Sequence, residues 1–360
     1  MTSNLANYWA EKDWEITIVT VTESESDFYE IHPKINRISL GPGSHSNNVF
    51  EAIKNNYTRI RALRSILKQH KPDVALSMMT TANIVLGLAT IGLNIVSVGS
   101  ERIHPPMLPL GTIWEWLRKQ SYKHLNTVVA LSTESATWLS EHTSVQQIQI
   151  IPNSVNYPIA RHSPLVEPHE ERRNRFTLIA VGRLSPQKGF DRLLDAFFAL
   201  ASRFPDWDLV IVGEGECRAE LEQRRHKLEL DQRAAMPGAV GNLGDWYESA
   251  DLFVMTSLFE GFPNTLAEAM AYGLPVVSVD CDTGPRDIIR DRIDGMLITQ
   301  DNQQALINAL AELMDNLDLR QRYAERAVEI RERFSMDTIS GMWEELFLTL
   351  TKNQATSKKP

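Results

Sequence analysis

Residues 250–280 read ADLFVMTSLFEGFPNTLAEAMAYGLPVVSVD, and the rest of the chain is placed relative to them. Leu252 to Met255 is a short apolar run between polar residues, the pattern of a strand buried on both faces of a parallel sheet. A loop follows from Ser257 to Phe262. Pro263 is expected at the first helical position, where a missing N–H costs nothing. The helix then runs through Thr265, Leu266, Ala267, Ala269 and Met270, and Gly273 ahead of Pro275 ends it in a left-handed cap. Strand, tight loop, helix and strand make one unit of an α/β sheet.

Two carboxylates frame this unit, Glu260 in the loop and Glu268 inside the helix. Between them lie the free N–H groups near Asn264 and Thr265, with Gly261 and Phe262 just ahead. A helix N-terminus favours an anion, because its unpaired donors and its dipole both point that way. Acids beside such a site would repel a simple anion. They fit a ligand that carries phosphate at its centre and hydroxyls on either side, since a carboxylate accepts two hydrogen bonds from a vicinal diol. A nucleoside diphosphate sugar has that shape. Taken alone, two such glutamates are more often solvated acids.

A second cluster lies upstream. Phe176 to Val181 reads as a strand that delivers Gly182 and Arg183 at its carboxyl end, and Lys188 follows a turn made by Ser185 and Pro186. An amphipathic helix from Phe190 to Ala201 comes next. Arg supplies a planar fork and Lys a point charge, so the pair suits a diphosphate. The glycines of Gly213-Glu214-Gly215 read as a turn. No GxGxxG run is present, which disfavours a dinucleotide-dependent dehydrogenase.

At 360 residues the chain exceeds the usual size of one core, so two domains are expected. Its net charge of −9 is unevenly placed, with residues 1–153 balanced and the whole acidic excess after them. That argues against nucleic acid as partner. Two distant cysteines, Cys217 and Cys281, form no disulfide framework and point to a reducing compartment. The histidines are scattered, so no metal site is expected. Met1 to Lys12 lacks the apolar core of a signal peptide. The uncharged stretch 74–99 parses as strand, helix and strand rather than a membrane span, because polar residues interrupt it.

The expected order begins with a helix over 1–12 and strands at 15–21, 36–40, 73–79, 95–100 and 127–131. A long helix over 47–70 carries Lys54, Arg59, Arg61, Arg64 and Lys68 beside an apolar stripe. It reads equally as a solvated face or as a surface for anionic lipid. The apolar segment Pro105 to Trp116, which includes Leu108, reads either as core packing or as lining for an acceptor. One helix is expected over 302–334. The domains are expected at 1–153, a connection at 154–176, a second domain at 177–334, a returning helix at 335–351 and a polar tail at 352–360.

The run FEGFPNTLAEAMAYGLPVVSVD closely resembles the nucleotide-sugar motif of retaining family 4 glycosyltransferases, which have the GT-B fold. VGRLSPQKGFDRLLDAF at 181–197 resembles their second donor motif, and IIPNSV at 150–155 the end of their first domain. The resemblance implies two Rossmann-like, doubly wound parallel-sheet domains. Members normally begin with a strand and a glycine-rich loop, and neither precedes the first helix here. The resemblance assigns donor binding to Gly182, Arg183, Lys188, Val240, Glu260, Gly261, Phe262, Asn264, Thr265 and Glu268. It places Glu101 near the catalytic centre with Glu260, Arg183 and Lys188, and Arg102 and His104 on the acceptor side. It implies no cofactor and no metal, a UDP-sugar donor, and a glycan or polyprenyl-diphosphate-linked acceptor in surface polysaccharide assembly. The expected location is cytoplasmic, at the inner face of the membrane. An epimerase of the same architecture and a catalytically impaired sugar-nucleotide-binding protein are the alternatives.

Overall fold

The computed structural model describes residues 1–21, 30–41, 49–107, 109–168 and 175–356. The chain divides into two compact units, 1–154 with 336–360, and 155–335. The expected positions 47, 48, Leu108 and the tail beyond 356 lie outside the described residues, as does part of the connection.

The first unit opens with α1 (Thr2–Glu11), β1 (Thr17–Thr20), β2 (Asn36–Ser39), α2 (Val49–His70) and β3 (Val74–Met78). It continues through α3 (Thr80–Ala89), β4 (Val96–Ser100), α4 (Thr112–Tyr122), β5 (Thr127–Ala130), α5 (Thr133–His142) and β6 (Ile148–Ile150). Strands β4 and β5 are buried at every position, which explains their unbroken apolar pattern. The stretch 74–99 is indeed strand, helix and strand. Among the described residues no helix is long and apolar enough to cross a membrane. Among the described residues the strands form two separate parallel sheets, β1-β2 and β3-β4-β5-β6.

The second unit holds β7 (Phe176–Val181), α6 (Phe190–Ala201), β8 (Trp207–Val212), α7 (Arg218–Lys227), β9 (Ala234–Gly238), α8 (Leu243–Glu248) and β10 (Leu252–Met255). It goes on with α9 (Asn264–Ala271), β11 (Val276–Asp280), α10 (Pro285–Ile288), β12 (Met296–Thr299), α11 (Gln303–Asp315), α12 (Leu317–Ala327) and α13 (Ile330–Arg333). All six strands run parallel in the order β12-β11-β10-β7-β8-β9. The chain winds outward from β7 to one side, then returns to β10 and winds to the other. The reversal therefore falls between β7 and β10. In such sheets ligands bind outside the carboxyl ends of the strands at this reversal. A core of leucine, phenylalanine and alanine side chains from α6, β8, β10 and α11 packs on the sheet.

The last helix, α14 (Met336–Thr356), belongs to the first unit. Its Trp343 is fully buried, and Phe347 meets Trp9 of α1 with ring centroids 5.6 Å apart.

Three expectations change. The single helix over 302–334 is three, because the Asn316 side chain accepts from the Leu319 N–H and starts a new helix. The polar tail begins later, since residues 352–356 continue α14. Pro263 caps α9 rather than opening it, with ψ at 84°, outside the helical range.

Candidate active site

At the reversal point the ends of β7 and β10 are tied together. After β7 the chain makes a short 3-10 turn, Pro186–Lys188. Gly189, at φ +61°, then passes so near the next loop that a Cβ would stand 2.5 Å from the Thr256 carbonyl oxygen. Only glycine fits there. The Thr256 hydroxyl donates to the Lys188 carbonyl at 2.8 Å. Gly182 leaves room for the Lys188 stem, since a Cβ on it would lie 3.0 Å from Lys188 Cε.

This framework brings Lys188 Nζ to 2.6 Å from Glu260 Oε1. Both are mostly withdrawn from water, with side chains 16% and 8% exposed. A charge-assisted pair in such surroundings is much stronger than one on an open surface. The Glu260 loop is held by its backbone as well. Gln300 Nε2 donates to the Leu258 carbonyl at 2.9 Å, and Gln187 Nε2 to the Phe259 carbonyl at 2.8 Å. The Thr283 hydroxyl donates to the Glu260 carbonyl.

Glu268 lies on α9, where the Tyr247 hydroxyl reaches its Oε2 at 3.4 Å and the Thr265 carbonyl at 3.2 Å. Loss of water raises the Glu268 pKa to about 7, against the Tyr247 hydrogen bond, which lowers it. Burial, followed by the nearby Glu268, pushes the Tyr247 phenol well above its usual range. Phe262 is buried and packs on Phe334, at 5.7 Å between ring centroids. Asn264 is exposed and Thr265 half-buried in the first turn of α9, which carries no acid. Val240 is half-buried just beyond the carboxyl end of β9.

Arg183 differs from the pair in exposure. It is exposed at the carboxyl end of β7, while its neighbour Leu184 is buried. The expected cation pair is thus one exposed arginine and one lysine already matched to a carboxylate.

The three residues assigned in the first unit take different surroundings. Glu101 is 2% exposed, and both carboxylate oxygens are taken, one by the Tyr122 hydroxyl and one by Thr80 Oγ1 at 2.7 Å. Burial raises its pKa, while those two hydrogen bonds work against the rise. The expected catalytic residue Glu101 is thus buried, with each carboxylate oxygen already accepting one hydrogen bond. His104 is also inside, 7% exposed, with Nδ1 2.9 Å from Ser135 Oγ on α5. Arg102 is half-buried, with its guanidinium largely withdrawn from water. Its Nη1 donates to Ser100 Oγ at 3.3 Å, and burial lowers its pKa to about 10.

Sequence reading missed Tyr247, Gln187, Thr283 and Gln300. Gln187 stands beside Lys188 in the quoted donor motif, so that signal was present. The other three come from segments whose spacing carries no pattern.

Six parallel strands with a reversal between β7 and β10, the Lys188–Glu260 pair at that reversal and Glu268 on α9 describe a doubly wound α/β unit whose candidate site lies at the strand ends. The chain belongs to glycosyltransferase family 4: the model described as Glycosyltransferase Family 4 matches residues 1–157, and that described as Glycosyl transferases group 1 matches 164–329. Among curated relatives, the amylovoran biosynthesis glycosyltransferase AmsD of Erwinia amylovora is 25% identical, over 96% of this chain and 93% of its own. An α-1,4-N-acetyl-D-galactosaminyltransferase of Campylobacter jejuni, acting on a diNAcBac-PP-undecaprenol-linked glycan, is 26% identical over 93% and 90%. Anabaena Alr3699/HepE, solved with UDP and glucose, superposes with a TM-score of 0.76 at 18% identity, over 97% of this chain and 95% of its own. The protein is a glycosyltransferase.

Proposed function

We propose that the enzyme moves a hexose or N-acetylhexosamine from a nucleoside diphosphate sugar, UDP-linked, to a hydroxyl of a glycan or polyprenyl-diphosphate-linked oligosaccharide during surface polysaccharide assembly, with retention of anomeric configuration. One observation carries the reading: the Lys188–Glu260 pair sits at the sheet's reversal point with Glu268 inside the adjoining helix. The Erwinia and Campylobacter relatives support polysaccharide and lipid-linked acceptors, and the Anabaena neighbour supports UDP.

Cleavage of the anomeric bond leaves negative charge on the departing diphosphate. Lys188, Arg183 and the positive end of α9 at Asn264 and Thr265 stabilise it, and charge stabilised only as the bond breaks lowers the barrier. Binding of the diphosphate draws Lys188 off Glu260. The freed carboxylate accepts from sugar hydroxyls and favours positive charge at the anomeric carbon. Glu268 accepts from the ribose diol, Val240 meets the base, and Gly182, Gly261 and Phe262 shape the walls. In the first unit Arg102 serves the acceptor, and Glu101 orders its loop through Tyr122 and Thr80. No metal takes part in this scheme, so EDTA leaves the rate unchanged. The cations Arg61 and Lys68, exposed on α2, suit an anionic membrane surface.

A panel of UDP- and GDP-sugars with an undecaprenyl-diphosphate-linked acceptor tests the assignment, and NMR of the product reads its anomeric configuration. Glu260→Gln and Lys188→Met should each lower transfer by about 10² or more. Near-normal rates in both variants sink the proposal.

A further inference from the structure

Three consecutive peptide carbonyls in the Glu260 loop are each held by a side chain from a different strand end. Gln300, just past β12, holds Leu258, and Gln187, in the turn after β7, holds Phe259. Thr283, just past β11, holds Glu260 itself. Gln187 acts twice, since its own carbonyl accepts from the Leu258 N–H at 2.8 Å. An ordinary surface loop needs no such fixing, because water satisfies its carbonyls.

In a planar trans peptide the carbonyl and the following N–H point in opposite directions. Fixing the carbonyls of 258, 259 and 260 therefore also aims the N–H groups of Phe259, Glu260 and Gly261 away from their anchors. The same bonds set the backbone from which the Glu260 side chain departs. Catalytic donors and acceptors placed before the substrate arrives require no reorganisation during the reaction.

We infer that Gln187, Thr283 and Gln300 are positioning residues that fix the Glu260 loop in its sugar-binding geometry before the donor binds. The inference rests on the proposed role of that loop at the transferred sugar. The three residues touch no reacting atom. They act through the backbone they hold, so their contribution belongs to the sugar half of the donor and not to the nucleotide half.

The test uses Thr283→Val, Gln187→Met, their double variant and Thr283→Ser in the full chain. Valine and methionine keep the volume and remove the donor, while serine keeps the hydroxyl. For the sugar nucleotide that gives turnover, kcat/KM should fall about tenfold in each single variant and further in the double, and Thr283→Ser should restore most of it. Affinity for UDP alone, by calorimetry, should stay within about twofold, and the melting temperature within about 2 °C. In the ligand-free protein, hydrogen exchange of the 258–262 amides should quicken in Thr283→Val and Gln187→Met. Unchanged transfer in the double variant, loss of UDP affinity in step with transfer, or unchanged exchange would each overturn the inference. A wild-type protein that transfers no sugar would instead remove the proposed function, and the exchange measurement would still decide whether the side chains hold the loop.

Discussion

Glu268 titrates near pH 7 because its surroundings withhold water, whereas the unfolded chain gives it an ordinary carboxyl pKa of 4.5. The folded state therefore holds this proton more tightly, and its contribution to stability is present below pH 4.5 and is lost as pH rises to about 7. Ligand binding runs the other way, since a carboxylate accepts from a diol and a neutral acid also spends a donor. UDP affinity should rise by about tenfold between pH 6 and pH 8, and Glu268→Gln should flatten that rise in a calorimetric series. A flat wild-type profile would take Glu268 away from the ribose. The two glutamates and Lys188 were legible in the sequence because a strand end, a glycine and a helix start fix where they fall. Tyr247 was not legible, since its meeting with Glu268 depends on how α8 packs on α9. The surroundings of Glu101 were not legible for a related reason: its position at a strand end was plain, but Tyr122 and Thr80 lie far from it in sequence.

The ends of β7 and β8 approach at a pair of glycines. Gly213 has φ +144°, and a Cβ there would lie 1.9 Å from the Gly182 carbonyl oxygen. Gly213→Ala must push back the strand end that leads to Arg183 and Lys188. It should weaken UDP binding by more than about tenfold, with circular dichroism showing whether the fold survives. Wild-type affinity in a folded variant would mean that the backbone absorbs the methyl group. Strands were the easiest elements to read, because burial on both faces leaves a continuous apolar run, and β7, α6 and β10 match their expected bounds. The helices of 302–334 were harder. Asn316 reads as an ordinary surface residue until its side chain is seen closing the first turn of α12.

Across the whole molecule the parallel strands follow from repeated strand–helix alternation, while the division at 154 falls where chain length and the IIPNSV run put it. The return of the last helix to the first unit rests on its aromatic face. Tyr8 donates to Asp337, Lys12 Nζ lies 3.3 Å from Glu344, and Trp9 and Trp14 meet Phe347. Trp343→Ala should destabilise the protein by about 3–5 kcal/mol, seen as an earlier unfolding transition. If the two units melt separately, only the transition of the first should move.

The place of α14 also bears on how the chain is made. A polypeptide leaving the ribosome releases all of 155–335 before Trp343 and Phe347 appear. The later-made unit is then complete while the earlier-made one still waits for its closing aromatic residues. The first unit, although begun first, thus receives its closing aromatic residues last, and a premature stop after Ser335 should leave it without them.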